Sequence, residues 1–395
     1  MIKDSKYRPL ILKGKIGEGK YSLLSVCRDS ECIDGMDKVK IVLENDEFTK
    51  GYEAYIFEGE KIAAETINYL VSKDIPYICG LEEIATLVDK DVVEINPLTL
   101  TVRVLYRANS TDNFLMLTNK CNNNCIMCPD SLKTRTENRK IPVDIIKRQI
   151  DLIDKKTPFL CITGGEPTLL KEEFIEIISY CKEKLPETEY ILLSNGRMFY
   201  YKKFAEDFSK SRPKNLIIAM PIHGHSPELH DSIAGIKDSF IQTFYGIKNL
   251  YNMGEKIELR IVVNRLNYKV LSNISAMISK YFPKVLRVNF MAMEMLGNAV
   301  TNKEKVWIDF QSVQPELKKA ILILLKSGIT VKVYNFPLCC LDKSLWNLNV
   351  RSISDYKIRY KDKCQSCSAI KTCGGFFNST INMKDIVVSP IEARS

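Results

Sequence analysis

The chain has 395 residues, 45% hydrophobic and 27% charged, enough for two or three globular domains with cores of their own. No apolar run reaches the roughly 18 residues that a bilayer span needs. The first residues, Met1-Ile-Lys-Asp-Ser-Lys-Tyr-Arg, also lack the apolar stretch of a secretory signal, so a cytoplasmic location is expected. The net charge of +9 is mild for this length and diffuse; with no recognised fold signature and no aromatic interleaving, nucleic acid is not an expected partner. Thirteen cysteines is an odd number in a long chain of this kind. Most of them fall in two tight groups, which reads as metal ligation rather than a disulfide framework.

Residues 1–110 carry Gly14, Gly17 and Gly19, a helical stretch near Ala63–Val71 and a β-rich run from Val92 to Tyr106. They read as a small α+β domain with a boundary near 108–113. Cys27, Cys32 and Cys79 have no ligand spacing there and are expected to be buried or surface thiols. From 111 to 334 short apolar runs alternate with amphipathic stretches. Candidate strands are Phe114–Thr118, Phe159–Ile162, Tyr190–Leu193, Leu216–Met220, Ile257–Asn264 and Leu286–Met293. Between them, Phe174, Ile177, Ile178, Cys181 and Leu185 recur at helical spacing, as do Phe240, Phe244, Ile247 and Tyr251. This rhythm predicts parallel βαβ units. Six of them make an α/β fold of the partial (β/α)6 barrel kind, open on one side. Residues 335–395 hold the second cysteine group and little regular structure, so a metal is expected to organise them.

The first group, Cys121, Cys125 and Cys128, lies in Leu117-Thr-Asn-Lys-Cys-Asn-Asn-Asn-Cys-Ile-Met-Cys128, a C-x3-C-x2-C spacing. A [4Fe–4S] cluster takes four thiolates; three so close together leave one iron open, as a catalytic metal site requires. In this spacing the usual occupant of that iron is S-adenosylmethionine (SAM). Zinc would want a fourth ligand nearby, and all three histidines, His223, His225 and His230, lie far along the chain. The loop follows the first candidate strand, which puts it at the C-terminal mouth of the barrel. The next strands end in Gly164-Gly165-Glu166-Pro167 and Ser194-Asn195-Gly196. The first turn is expected to meet the ammonium of SAM, partly through Glu166. Ser194 and Asn195 either touch ribose or carboxylate or merely satisfy their own turn. Asn264, Met127 and Met293 are further candidate cofactor neighbours, the two methionines by packing on adenine. The histidines are read as loop-structural or substrate-lining. The densest basic patch, Lys133, Arg135, Arg139 and Lys140, reads as a solvated loop, with phosphate or an acidic peptide as the alternative. In the C-terminal group, Cys364, Cys367 and Cys373 with Cys339 or Cys340 fit zinc or a second, fully ligated [4Fe–4S] cluster.

These segments, together with Pro221-Ile-His-Gly224 and His230-Asp-Ser-Ile-Ala-Gly235, resemble the radical SAM superfamily, and within it enzymes with a SPASM or twitch extension. The chain is also similar to maturases of the His-Xaa-Ser peptide-modification system (HxsC type), through Val102-Arg-Val-Leu-Tyr-Arg107, Trp307-Ile-Asp, Asn335-Phe-Pro-Leu-Cys339, Ser344-Leu-Trp346, Arg351-Ser-Ile-Ser-Asp355 and Cys373-Gly-Gly-Phe-Phe377. The resemblance implies a 5′-deoxyadenosyl radical formed with an external electron donor, a peptide with His-Xaa-Ser repeats as substrate, and a second radical SAM protein as partner. It favours Cys339 over Cys340 and implies one auxiliary cluster. Relatives with Ser-Leu-Asp-Gly after the fourth strand have a serine against ribose; Pro221-Ile-His-Gly224 lacks it. A small-molecule cofactor precursor is the alternative substrate. A zinc-stabilised scaffold or electron carrier is the alternative from another class.

Overall fold

A computed structural model describes residues 10–28, 37–43, 46–136, 140–353, 357–383 and 385–392. Cys32, Arg139 and Asp355 lie outside them. The first eight strands are β1 (Ile11–Lys13), β2 (Ile16–Glu18), β3 (Ser22–Cys27), β4 (Lys38–Val42), β5 (Ala54–Phe57), β6 (Tyr77–Cys79), β7 (Val92–Asn96) and β8 (Thr101–Tyr106). They form one sheet in the order β1-β8-β7-β3-β4-β5-β6-β2. Strands β3 to β6 run parallel and the other pairs antiparallel. The run 11–18 pairs with β8 through β1 and with β6 through β2, so one segment meets both edges of the sheet. The two-residue period of the strands divides the side chains. Ala54, Ile56 and Ile78 join one buried cluster, while Tyr55, Phe57 and Tyr77 join another with Leu70 of the helix Ala64–Ser72. Cys79 is a buried thiol. Cys27, expected as a thiol, is instead disulfide-bonded; its single-residue burial in β3 says nothing of pairing, which is why spacing alone misses it.

The second sheet contains β9 (Phe114–Met116), β10 (Phe159–Thr163), β11 (Glu189–Leu193), β12 (Leu216–Pro221), β13 (Ile257–Val262), β14 (Arg287–Met291), β15 (Val331–Tyr334) and β16 (Asn349–Val350). All neighbours are parallel, and β9 and β16 are the two edges. The six expected strands are present, the first, fifth and sixth shorter than expected and the second, third and fourth each one residue longer. Thr118 leaves β9 to bridge Lys140, and Asn264 turns away from β13 to bond its own loop. Two more strands extend the sheet beyond the expected six. On one face Leu160, Ile162, Leu192, Ile218, Leu259 and Phe290 are fully buried beneath the helices. Those helices present Phe174, Ile177, Ile178 and Cys181 from Glu172–Lys184, and Phe240 and Ile247 from Ser239–Asn252. Burial of such apolar faces contributes about 25 cal/mol per Å2 and dominates the stability of the domain. The opposite face is polar in places: the Glu258 carboxylate is fully buried, 2.6 Å from Arg260 Nε on one oxygen and 2.6 Å from Arg287 Nε on the other.

Beyond the edge strand β16, the described residues of the C-terminal stretch contribute β17 (Ile358–Arg359) and β18 (Phe376–Phe377), an antiparallel pair, with short 3-10 turns around them. Among the described residues no helix is long and apolar enough to cross a membrane.

Candidate functional site

The cysteine loop leaves β9 at the carboxyl end of the sheet and is fixed from several elements at once. Ile126 N–H donates to the carbonyl of Ile233 (3.0 Å) and Asn124 N–H to that of Ala234 (2.9 Å). This pairing needs Gly235: its φ is +67°, and a Cβ there would stand 2.1 Å from the carbonyl oxygen of Asn124. The amide of Asn298 donates to the carbonyl of Cys125 (3.0 Å) and that of Asn302 to the carbonyl of Ile126 (3.1 Å). Arg197 binds the carbonyl of Asn122 and, at 2.8 Å, Asn123 Oδ1. Arg135 donates to the carbonyl of Asn123 (2.8 Å) and to Asn124 Oδ1 (2.9 Å).

The turn after β10 packs on the start of this loop. Gly165 N–H donates to the carbonyl of Thr118 (2.8 Å) and Glu166 N–H to that of Lys120 (2.7 Å). A Cβ on Gly165 would lie 2.4 Å from the carbonyl oxygens of Asn119 and Lys120, so what approaches Gly164-Gly165 closely is the loop's own backbone. Pro167 is buried at the head of the 3-10 turn that follows. Glu166 has no exposure. Its Oε1 accepts from the backbone N–H (3.2 Å) and hydroxyl (2.5 Å) of Thr168 and the hydroxyl of Ser194 (2.8 Å), and its Oε2 from Asn195 N–H (2.5 Å). Burial pushes its carboxyl up; these hydrogen bonds pull it back. Asn195 Nδ2 continues the chain to Asn122 Oδ1 (2.7 Å). The three loops are thus one hydrogen-bonded unit, and Glu166, Ser194 and Asn195 serve as its ties.

Each sulfur of the trio accepts one N–H: Cys121 from the backbone of Asn123 (3.4 Å), Cys125 from the amide of Asn123 (3.9 Å) and Cys128 from the backbone of Asp130. Burial nonetheless holds the Cys121 thiol up at about 11, with the charge of Glu166 adding to it, and the Cys125 thiol at about 12; Cys128 is raised for the same reason. Such thiols carry charge at neutral pH only when a metal takes the proton's place. Among the described residues no three His, Cys, Asp or Glu side chains gather closely enough to hold a single ion. Zinc draws its ligands around one ion at about 2.0–2.3 Å, whereas a cluster takes each thiolate on a different iron, so the donor set fits a [4Fe–4S] cluster better than zinc.

The other candidates spread out. Met127 is buried in the main core. Met293 lines a small cavity with Val263, Ala292, Trp307 and Phe310. Asn264, fully buried, accepts from Leu266 N–H (3.0 Å) and donates to the carbonyl of Val262 (3.1 Å). His223, buried after β12, has neither ring nitrogen hydrogen-bonded. Its backbone N–H donates to His230 Nδ1 (3.2 Å). Burial holds His230 down at about 4, with the charge of Arg197 adding to it, and holds His223 well below the usual histidine value. The basic patch corrects the solvated-loop expectation at one position: Arg135 turns inward and is 6% exposed, because its fork finds two loop acceptors. Lys133 stays exposed, and Lys140 pairs with Glu173 at 2.5 Å.

Around the C-terminal group one cavity is lined by Cys339, Cys364, Cys367 and Cys373, together with Tyr360 and Phe376. Cys340 does not line it; its thiol is directed to the carbonyl of Val387 (3.6 Å). Leu338 and Gly375 N–H donate to Cys373 Sγ (3.4 Å each) and Ile391 N–H to Cys367 Sγ (3.3 Å). The neighbouring Cys340 sulfur, 3.9 Å away, holds the Cys339 thiol below the usual thiol value. Sequence reasoning placed Arg135 only in the basic run and missed Arg197, Asn298 and Asn302 altogether. The only signal was the i, i+4 spacing of the two asparagines on the loop after β14, which carries no chemistry by itself.

An eight-stranded parallel sheet with a three-thiol loop at its carboxyl end is the class of protein these features define. Residues 115–269 match the family model described as the radical SAM superfamily, and the barrel is a radical SAM fold. That family implies a [4Fe–4S] cluster and SAM. Over 181 residues the chain is 25% identical to the antilisterial bacteriocin subtilosin biosynthesis protein AlbA of Bacillus subtilis (strain 168), covering 44% of this chain and 38% of that one. Over 183 residues it is 25% identical to Fe-coproporphyrin III synthase of Methanosarcina barkeri (strain Fusaro / DSM 804), covering 46% and 43%. The matches span about two fifths of the length of these relatives. The structure of native anSMEcpe with bound AdoMet and Cp18Cys peptide is similar in fold, with a TM-score of 0.50 at 12% identity, covering 71% of this chain and 92% of that one.

Proposed function

We propose that this protein is a radical SAM enzyme that modifies a peptide. The observation that carries the reading is the three-thiol loop, locked by hydrogen bonds at the carboxyl end of the parallel sheet. Cys121, Cys125 and Cys128 hold the [4Fe–4S] cluster. When bound there, the cluster supplies the electron that cleaves SAM to a 5′-deoxyadenosyl radical. The residues of this chain position and shield. Glu166, Ser194 and Asn195 keep the three loops in register, which leaves main-chain groups of the Gly164–Pro167 turn to meet the SAM ammonium. Cys339, Cys364, Cys367 and Cys373 hold a second [4Fe–4S] cluster, supported by their convergence on one cavity and by the N–H donors on their sulfurs.

Similarity to the subtilosin biosynthesis protein supports a ribosomally made peptide as substrate, and the HxsC-type resemblance narrows it to one with His-Xaa-Ser repeats. A second radical SAM protein and an external electron donor are the partners this reading requires. Similarity to the coproporphyrin synthase, at the same 25% identity, favours a small-molecule cofactor precursor as the second reading. Anaerobic reconstitution tests the core of the proposal. About eight irons per chain are expected, and about four without the auxiliary cluster. Dithionite and SAM are expected to yield 5′-deoxyadenosine, measured by liquid chromatography. Absence of that product together with bound zinc would leave the scaffold reading. Mass spectrometry of a candidate peptide co-expressed with the protein separates peptide from small molecule.

A further inference from the structure

Arg135 occupies an unusual place for a member of a basic run. It lies in the short helix Leu132–Thr136, where it is the one buried residue. Taking a guanidinium out of water costs several kcal/mol unless something compensates it. Among the described residues no carboxylate pairs with it, and its Nε has no hydrogen-bond partner. Its two remaining nitrogens hold Asn123 and Asn124. Asn123 is the residue whose N–H and amide reach Cys121 and Cys125. Lys133 and Lys140 of the same run are exposed, and Lys140 pairs with Glu173.

We infer that Arg135 is the buried counter-charge of the cysteine-loop cluster, a positioning residue that favours the cluster's reduced state. The inference rests on the iron–sulfur reading above. Reduction adds one electron and no proton, so the site becomes more negative by one charge. A fixed cation within the low-dielectric interior stabilises that state more than the oxidised one and raises the reduction potential.

The test is a redox titration of the reconstituted full chain with dithionite and mediators. It follows the reduced-cluster electron paramagnetic resonance signal that changes on adding SAM, which separates it from an auxiliary cluster. Iron content is read in parallel. In Arg135→Met the ratio of reduced to oxidised cluster at the wild-type midpoint is expected to fall about tenfold, 59 mV for a one-electron couple. Arg135→Lys, which keeps the charge, is expected to stay within about twofold. Wild-type iron and a wild-type midpoint in Arg135→Met would overturn the inference. If Arg135→Met fails to hold iron, Arg135→Lys decides: retained iron with a wild-type midpoint supports the counter-charge, and equal loss of iron overturns it. Wild-type protein without iron would sink the iron–sulfur reading and this inference together; iron in wild type with no shift in Arg135→Met sinks only this one.

Discussion

The two cysteine sites are held by different means. The loop of Cys121, Cys125 and Cys128 is bonded to β10, to the turn after β11, to the helix ending at Ala234 and to Asn298 and Asn302. The cavity of Cys339, Cys364, Cys367 and Cys373 is walled by two-residue strands and 3-10 turns. On the reading proposed above, the first site is shaped by the fold around it, as positioned chemistry requires, and the second is expected to depend on a metal for its shape, as small metal-organised segments do. The largest effect that would break this comparison is iron removal. In hydrogen-exchange mass spectrometry, chelation is expected to abolish protection across 357–392 while leaving the strands of the second sheet up to β14 protected. Equal loss in both regions would show that the first site is metal-dependent too.

Next in size is the tie between loops. Glu166→Ala leaves the buried N–H groups of Thr168 and Asn195 and two hydroxyls without their acceptor. Unsatisfied buried donors cost about 1–3 kcal/mol each, so a loss of roughly 3 kcal/mol or more in urea unfolding is expected, with reduced iron uptake. Glu166→Gln keeps one acceptor oxygen and is expected to lose less.

A smaller effect is pH-dependent. Burial holds His230 at about 4 in the folded chain, against about 6.5 unfolded. As pH falls below 6.5 the unfolded state takes the proton first, so stability drops between pH 6.5 and 4, by up to about 3 kcal/mol. Buried His223 shifts the same way. A His230→Gln variant is expected to flatten the acid limb of the stability curve; an unchanged slope would show that other groups dominate it.

How far these features could be read in advance depends on whether their cause is local. Parallel strands buried on both faces read as apolar runs, so Leu216–Pro221 was legible. Val331–Tyr334 was not: four residues with Lys332 among them give too short a signal. The places of Glu166, Ser194 and Asn195 followed from their position at strand ends, but their partners did not, because the bond from Ser194 to Glu166 spans 28 residues. The closing of the first sheet by residues 11–18 likewise depends on register between segments far apart in the chain.

The basic run after the cysteine loop sharpens the contrast between inward and outward charge. Lys140 and Arg135 are five positions apart, yet Lys140 meets Glu173 with side chains 48% and 38% exposed, while Arg135 is 6% exposed and touches the loop. An exposed ion pair contributes about 0–1 kcal/mol because water screens the attraction and two long side chains lose freedom. Lys140→Ala is therefore expected to change urea stability by no more than about 0.5 kcal/mol and to leave iron content and midpoint potential as in wild type. If Lys140→Ala moved the midpoint as far as Arg135→Met, the long-range charge of the whole run would govern the cluster, and burial of one guanidinium would not.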